Sequence, residues 1–500
     1  MAFDARLPQD DSAPVSTLII GTGFAGLGMA IRLKQEGNSD FLVLERAHSV
    51  GGTWRDNTYP GCACDVQSHL YSFSFEQNPE WSRMFAPQPE IKAYLERCAD
   101  KYGVGPHLRF GAEVTQARYD EAAQLWNVQT RDGRLFKARA LVAGLGGLST
   151  PAYPQLKGIE KFKGKAFHSA EWDHGYDLKG KRVAVIGTGA SAIQFVPQVQ
   201  KLAGQVDLYQ RTPPWIMPKP DRRISTLERA LFKRFPQAQQ AIREAIYWSL
   251  EGRVLGFVLN PKVMKLPEQI ARWHIRRQIK DPVLRAKLTP DFAFGCKRVL
   301  ISDDYYPALA QANVDVISDG IREVKANSII TQDGVERPVD CIIYGTGFKA
   351  QDPLPRGAIF GRGGMDIIES WKDGPEAYLG TSIRGFPNLF MLVGPNTGLG
   401  HSSMVYMIES QIAYVLGALK TMATKGLSEV EVKADVQERF NASLQKQLGG
   451  AIWASGCKSW YVNANGKNTT LWPGFTFRFR QATKHFKLAD YDAQKIAATA

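Results

Sequence analysis

One pattern occurs twice in this chain and constrains its fold more than any other feature. An apolar strand runs into a glycine-rich turn, which opens a helix. The first copy is Leu18-Ile19-Ile20 followed by Gly21, Gly23 and Gly26; the second is Val183-Ala184-Val185-Ile186 followed by Gly187, Gly189 and Ala192. In each copy the first glycine permits the turn and the second lets a pyrophosphate approach the backbone. The third small residue lets helix and strand pack closely. The N–H groups at the helix start then face the phosphate charge. A lone copy is weak evidence. Two copies, each between a strand and a helix, predict an α/β chain of two nested, three-layer, Rossmann-like dinucleotide-binding domains.

The copies differ where it matters. At the same offset from each first glycine stand Glu45, ending the strand Phe41-Leu42-Val43-Leu44, and Arg211, ending Val206-Asp207-Leu208-Tyr209. A carboxylate there accepts hydrogen bonds from ribose hydroxyls and repels a phosphate, whereas an arginine receives a 2′-phosphate. The first site therefore reads as one for an unphosphorylated dinucleotide, the second as one for NADP.

A length of 500 residues accommodates about three domains. Each turn has a later partner strand ending in glycines: Ala140-Leu141-Val142-Ala143 before Gly144, Gly146 and Gly147, and Cys341-Ile342-Ile343-Tyr344 before Gly345-Thr346-Gly347-Phe348. Alternating segments at Val114 to Tyr119 and Leu125 to Thr130 predict a small antiparallel meander, and the alternation recurs near Asp315 to Ile330. The expected first domain takes residues 1–150 plus 370–500. The second takes 151–218 plus 291–369, with a helical insertion at 219–290. A strand from Asn388 to Val393 and a long amphipathic helix from about Met404 to Thr424 are expected late in the chain. The composition of 456–474 reads as a mobile loop.

The net charge is +13, and 219–290 carries most of it, with 16 Lys/Arg against 6 Asp/Glu. This segment also has helical apolar spacing, at Ala241-Ile242, Ala245-Ile246, Leu250 and Val254. A solvated basic helical surface is the first reading. A membrane-surface patch is the second. Nucleic-acid binding comes last, since no recognised motif accompanies the charge. No apolar run approaches the ~20 residues of a membrane span. The polar stretch Met1 to Ser16 reads as a disordered tail and not as a signal peptide. Six cysteines in so long a chain do not form a disulfide framework, so a reducing cytoplasm is the expected location. Cys62 and Cys64 lack flanking ligands for a metal, and they read as small residues in a loop facing the first nucleotide. No metal site is expected.

The linker between the two nucleotide units reads Phe162-x-Gly164-x-x-x-His168-x-x-x-Trp172-Asp173. With it the chain resembles the single-component, FAD- and NADPH-using (type I) Baeyer–Villiger monooxygenases. Further points of resemblance are Gly51-Gly52-Thr53-Trp54, Tyr59-Pro60-Gly61, Cys64-Asp65, Cys296-Lys297-Arg298, Gly345-Thr346-Gly347-Phe348 and Ser459-Trp460-Tyr461. The resemblance spans about residues 15–480. It implies conversion of a ketone and O2 to an ester or lactone through NADPH-reduced FAD and a C4a-peroxyflavin. The ending Leu471-Trp472-Pro473-Gly474 points to aryl or open-chain ketones.

The resemblance implies FAD contacts from Gly21, Gly23, Phe24, Gly26, Glu45, Thr53, Trp54, Asp65, Tyr71 and Val114. It implies NADP contacts from Gly187, Thr188, Gly189, Ala190, Ser191, Arg211, Thr212, Lys297, Arg298 and Trp460. Arg298 is the expected catalytic cation, because a guanidinium stays charged beside a peroxide anion. Asp65 is expected to hold it in place. For Trp54, stacking in the flavin loop and burial as a structural residue are both open. For His168 and Trp172 the resemblance implies coupling of domain movement to catalysis, with proton transfer by His168 as the alternative. Two rival functions are hydroxylation of nitrogen or sulfur and a non-catalytic flavin- and NADP-binding redox protein. The Trp172-Asp173 ending speaks against the first, and the retained Arg298, Lys297 and Asp65 against the second. No nucleic-acid partner is expected, and the oligomeric state is not legible.

Overall fold

The computed structural model describes residues 11, 13–350, 354–457, 459–463 and 465–496. The first turn is built as its sequence predicts. The strand Val15–Ile20 pairs in parallel with Phe41–Leu44 on one side and with the end of Leu135–Ala143 on the other, so that Ile20 sits between Leu44 and Ala143. The strand begins inside the stretch expected to be a tail: Ser16 already donates its N–H to Asp40 at 2.8 Å. The rest of that expectation, at 1–10 and 12, lies outside the described residues.

The nine-residue strand Leu135–Ala143 serves two structures. Its first half alternates in burial and pairs antiparallel with Leu125–Thr130. Its second half is wholly buried and pairs in parallel with Val15–Ile20 and Leu389–Met391. The change from alternating to continuous apolar residues marks where the sheet passes from one covered face to two. The meander is therefore the outer part of one eight-stranded sheet. Ile359–Phe360 also joins this sheet, beside Ala117–Arg118. The chain has thus returned to the first unit before residue 370, earlier than expected.

The second sheet is parallel throughout, in the order 314–317, 205–209, 182–186, 341–344, 165–168. Asp315 belongs to it, and the second alternating region is a separate small sheet of Ile321–Val324, Ser328–Thr331 and Glu336–Pro338. The linker is structured as well. Its Lys165–His168 forms the edge strand, with His168 opposite Tyr344. Residues 219–290 form helices at Thr226–Arg234, Pro236–Glu251, Lys265–Gln278 and Pro282–Leu288, in accord with their apolar spacing. The long helix runs from Met404 to Lys425. Ser403 caps its start, accepting from the Val405 N–H, and Gly426 at φ +61° ends it. Among the described residues, no helix is long and apolar enough to cross a membrane.

Candidate active site

Both turns have the geometry of a phosphate cradle. Gly21 has φ +94° and Gly187 φ +107°. A Cβ on Gly21 would lie 2.7 Å from the Gly144 carbonyl oxygen, and one on Gly187 2.4 Å from that of Gly345. The glycine-ended partner strands therefore close on the turns, and no side chain fits between. At Gly23 and Gly189 the surroundings are open instead, with the nearest atoms 3.7 and 3.9 Å from an ideal Cβ. The backbone is bare on the side where a pyrophosphate would approach. Thr188, Ala190 and Ser191 complete the second turn ahead of the Ala192–Gln200 helix.

At the first turn Glu45 is buried. Its Oε2 accepts from the Thr22 N–H at 3.0 Å and hydroxyl at 2.6 Å. Its Oε1 accepts from the Ala47 N–H at 2.9 Å and pairs with Arg55 at 3.0 Å. These contacts hold the carboxylate in place beside the turn. The single helical turn Thr53–Asp56 brings Trp54 against Tyr71, with rings 5.6 Å apart and edge-on and the indole N–H 3.1 Å from the phenol oxygen. Phe24 stands 5.1 Å from the same Tyr71 ring. Trp54 is thus buried in an aromatic wall beside the first turn. Val114 opens its strand just after Ala112, whose N–H bonds the Glu45 carbonyl at 2.9 Å.

At the second turn the Thr188 hydroxyl donates to the Thr212 carbonyl at 3.0 Å, which fixes Arg211 beside the cradle. Lys297 lies within electrostatic reach of Arg211. Burial lowers its pKa first, and the neighbouring Arg211 lowers it further. Two like charges so placed, one of them beside the cradle, form a site for an anion that neutralises both.

The Arg298–Asp65 pair adjoins both turns: Arg298 follows Lys297 in the chain, and both charges act on Tyr71 of the aromatic wall at the first turn. Backbone bonds hold the Asp65 loop: Cys64 N–H to the Ala86 carbonyl at 3.0 Å, and Gln88 N–H to that of Cys62 at 2.9 Å. Arg298 donates through Nε at 3.1 Å and through a terminal nitrogen at 2.6 Å, both to Oδ2 of Asp65. Burial is the largest influence on the Asp65 carboxyl and raises it, but the Arg298 charge and hydrogen bonds, joined by a backbone bond and the Lys219 charge, together hold the pKa below the usual range. Asp65 in turn raises Arg298, so both remain ionised. Cys62 and Cys64 are free and buried; burial pushes the Cys62 thiol up to about 11 and raises Cys64 well above its ordinary value. Such protonated thiols are inert, as the small-residue reading of this loop expects.

Two residues stand at this pair without a role assigned from the sequence: Tyr461 enters there only as part of a motif, and Arg253 not at all. Tyr461, the neighbour of Trp460, is buried against it, and burial pushes its phenol up to about 12. Its hydroxyl has no partner among the described residues. Arg253 comes from the insertion: burial lowers its pKa, and Asp65 acts on it in the opposite sense. Only the folding of the insertion toward the site brings it there.

The cysteines form no framework, since Cys62, Cys64, Cys98 and Cys341 are free, but one pair departs from the expectation of reduced thiols. Cys296 and Cys457 form a disulfide across 161 residues, with Cα atoms 6.3 Å apart. It ties the segment carrying Lys297 and Arg298 to the loop carrying Trp460 and Tyr461. The segment expected to be mobile is also tied through Val462 to Asn468 and through Leu471 to Gly398. Opening the bridge frees one anchor of that loop. Cys457→Ser, or treatment with a dithiol, is expected to raise the KM for NADPH more than it lowers kcat, with flavin content unchanged. Steady-state kinetics of both forms check this, and identical constants would refute it.

His168 and Trp172 lie elsewhere. The His168 ring is buried, accepts from the Ala170 N–H at 3.1 Å through Nδ1, and packs on Tyr153 and Phe348 at 5.4 and 5.7 Å. Burial lowers its pKa, so it is neutral near pH 7. Trp172 packs on Phe195 at 5.5 Å, and Phe195 on Tyr59 at 6.0 Å. Tyr59 donates to the Gln194 side-chain oxygen at 2.9 Å, and Gln194 donates to the Ala63 carbonyl at 2.9 Å. A continuous packed path thus leads from the linker, through the helix of the second cradle, to the loop that carries Asp65.

Two dinucleotide-type turns and an ionic pair that adjoins both define the class of protein. A family model described as flavin-binding monooxygenase-like matches residues 15–360. A Baeyer–Villiger monooxygenase of Pseudomonas aeruginosa is 62% identical over 475 residues, covering 95% of this chain and 90% of the relative. One of Streptomyces coelicolor is 48% identical, covering 97% and 93%. Among solved structures, OTEMO in complex with FAD and NADP superposes with a TM-score of 0.86 at 30% identity, over 96% of this chain and 100% of the other. Cyclohexanone monooxygenase from Rhodococcus sp. Phi1 bound to NADP+ does so at 0.87 and 27%, over 97% and 100%. The chain belongs to the flavin-binding monooxygenase-like family, in its Baeyer–Villiger branch.

Proposed function

We propose that this protein uses FAD, NADPH and O2 to insert one oxygen atom beside a ketone carbonyl, giving an ester or lactone. The observation that carries the reading is the ionised Arg298–Asp65 pair adjoining two dinucleotide-type turns, one bordered by a carboxylate and one by two cations. Bound FAD, reduced by NADPH, supplies the activation of O2. The chain's own residues supply position and charge. Gly21, Gly23 and Glu45 hold the first dinucleotide, and Arg211, Thr212 and Lys297 bind the 2′-phosphate of the second. Arg298 stabilises negative charge developing at the reacting centre, and its fixed ionisation suits that task. Asp65 orients it by holding one edge of the guanidinium. Tyr461, protonated throughout the physiological range, offers an uncommitted O–H beside the pair.

Aryl and open-chain ketones are the substrates this reading favours, on the Leu471-Trp472-Pro473-Gly474 ending. The test is NADPH oxidation stimulated by such a ketone, with ester recovered in proportion. Oxidation of a sulfide or amine without any ester would instead support the heteroatom-oxidising rival.

His168 acts in this scheme through the linker. Closure of the two units excludes water from the reacting centre, and His168 stands in the edge strand of the moving unit. His168→Ala is expected to raise the share of NADPH oxidised to hydrogen peroxide without ester, with FAD retained. Because burial holds the imidazole neutral, the pH profiles of variant and wild type should share one shape between pH 6 and 8. Loss of a pH limb in the variant, with tight coupling kept, would show proton transfer instead.

A further inference from the structure

Residues 219–290 carry a feature that the oxygenation chemistry does not use. More than half of the exposed large apolar residues in the described chain lie in this one segment. They are ordered. On the helix Lys265–Gln278, Met264 just before it and Ala271, His274 and Ile275 within it face the core. Leu266, Ile270 and Trp273 stand four and three residues apart on another face, and they are 71%, 42% and 51% exposed. The preceding turn extends the row with Leu255, Leu259 and Val263, all about half exposed or more. A surface helix normally turns polar residues outward; this one turns a second apolar stripe outward.

The stripe has a basic frame. Lys262, Lys265, Arg276 and Arg277 are exposed beside it, and the Arg277 guanidinium lies 5.2 Å from the centre of the Trp273 ring. The whole segment has 16 Lys/Arg against 6 Asp/Glu. Apolar side chains with an indole, rimmed by cations, match the boundary of an anionic bilayer. The stripe enters the acyl edge, the indole sits at the headgroup level, and the cations meet lipid phosphates. A second copy of the chain fits less well, because it would bring the same excess positive charge within a Debye length of about 8 Å.

We propose that the 255–277 surface docks this protein on anionic phospholipid bilayers. The test uses the full-length, FAD-loaded protein and sedimentation with two kinds of vesicle, phosphatidylglycerol mixed with phosphatidylcholine and phosphatidylcholine alone. The protein is expected to partition onto the mixed vesicles and to be released progressively by salt. The double variant Leu266→Glu with Trp273→Glu should lower that partition at least about tenfold, because it places carboxylates where the acyl chains and lipid phosphates would be. Lys262→Glu with Lys265→Glu, which leaves the apolar stripe intact, should lower it in the same direction and flatten the salt dependence. Tm and flavin content of each variant confirm that the fold is kept. Three results would overturn the proposal: no partition of the wild type, partition of both double variants equal to wild type, or a homodimer that the Leu266/Trp273 variant splits into monomers.

Discussion

Arg298→Ala is expected to abolish ester formation while FAD stays bound. The cradle proposed for the flavin comprises Gly21, Gly23, Glu45 and the Phe24–Trp54–Tyr71 wall, whereas the side-chain hydrogen bonds of Arg298 go to Asp65. Loss of the guanidinium thus removes charge stabilisation and leaves the cofactor platform intact. One well-placed electrostatic contact of this kind is worth ~2.7–4 kcal/mol, about a hundred- to thousandfold in rate. A second effect follows at Asp65. With Arg298 gone, burial acts on its carboxyl with far less opposition, and its pKa rises. The wild-type carboxyl is depressed, so its contribution to stability is present above the unfolded pKa and fades as pH falls through the folded one. In the variant, burial raises this carboxyl above its unfolded value, so the group should cost stability as pH rises through the acid range, the opposite sign to wild type. Arg298→Lys keeps the charge but not the two-nitrogen grip on Oδ2, and it should recover only part of the rate. The check is ester yield and flavin content across the three proteins. Ketone turnover at wild-type level in Arg298→Ala would remove Arg298 from the mechanism.

Arg211→Ala is expected to raise the KM for NADPH at least about tenfold while leaving NADH use nearly unchanged. A charge-assisted hydrogen bond contributes ~1.5–3 kcal/mol, reduced here because Arg211 is exposed and water screens it. Lys297 remains in the variant, so binding weakens without vanishing. It should also lose a repulsive neighbour, and its ammonium pKa should rise. Initial rates with both nicotinamide cofactors read the effect. Equal efficiency with NADH and NADPH in the wild type would contradict the role given to Arg211.

What could be read from the sequence was what is local. Each turn spans a few residues, and Glu45 and Arg211 follow at a fixed offset, so cofactor type could be argued from charge alone. The helices of the insertion announce themselves by spacing. The Asp65–Arg298 pair joins positions 233 apart and could be named only through family resemblance. Tyr461 stood in a motif of resemblance without a role of its own, and Arg253 and the pairing of Cys296 with Cys457 had no signal at all. Their meeting depends on how the insertion and the 456–474 loop fold over the site, and chain spacing does not encode that. The return to the first sheet at Ile359–Phe360 was missed for a similar reason, since a two-residue edge strand has no periodicity to detect. The linker was underestimated because Lys165–His168 is short, yet it completes a parallel sheet.

The most direct test of the account is the fate of the oxygen atoms. Purified protein with FAD, NADPH and an aryl or open-chain ketone is allowed to turn over under 18O2 in ordinary water, and the product is weighed by mass spectrometry. The account predicts an ester heavier than its unlabelled counterpart by one 18O atom, in the position between carbonyl carbon and migrated group, with NADPH consumed in equal amount. An unlabelled product, or NADPH consumption that no ketone increases and that yields only hydrogen peroxide, would contradict it.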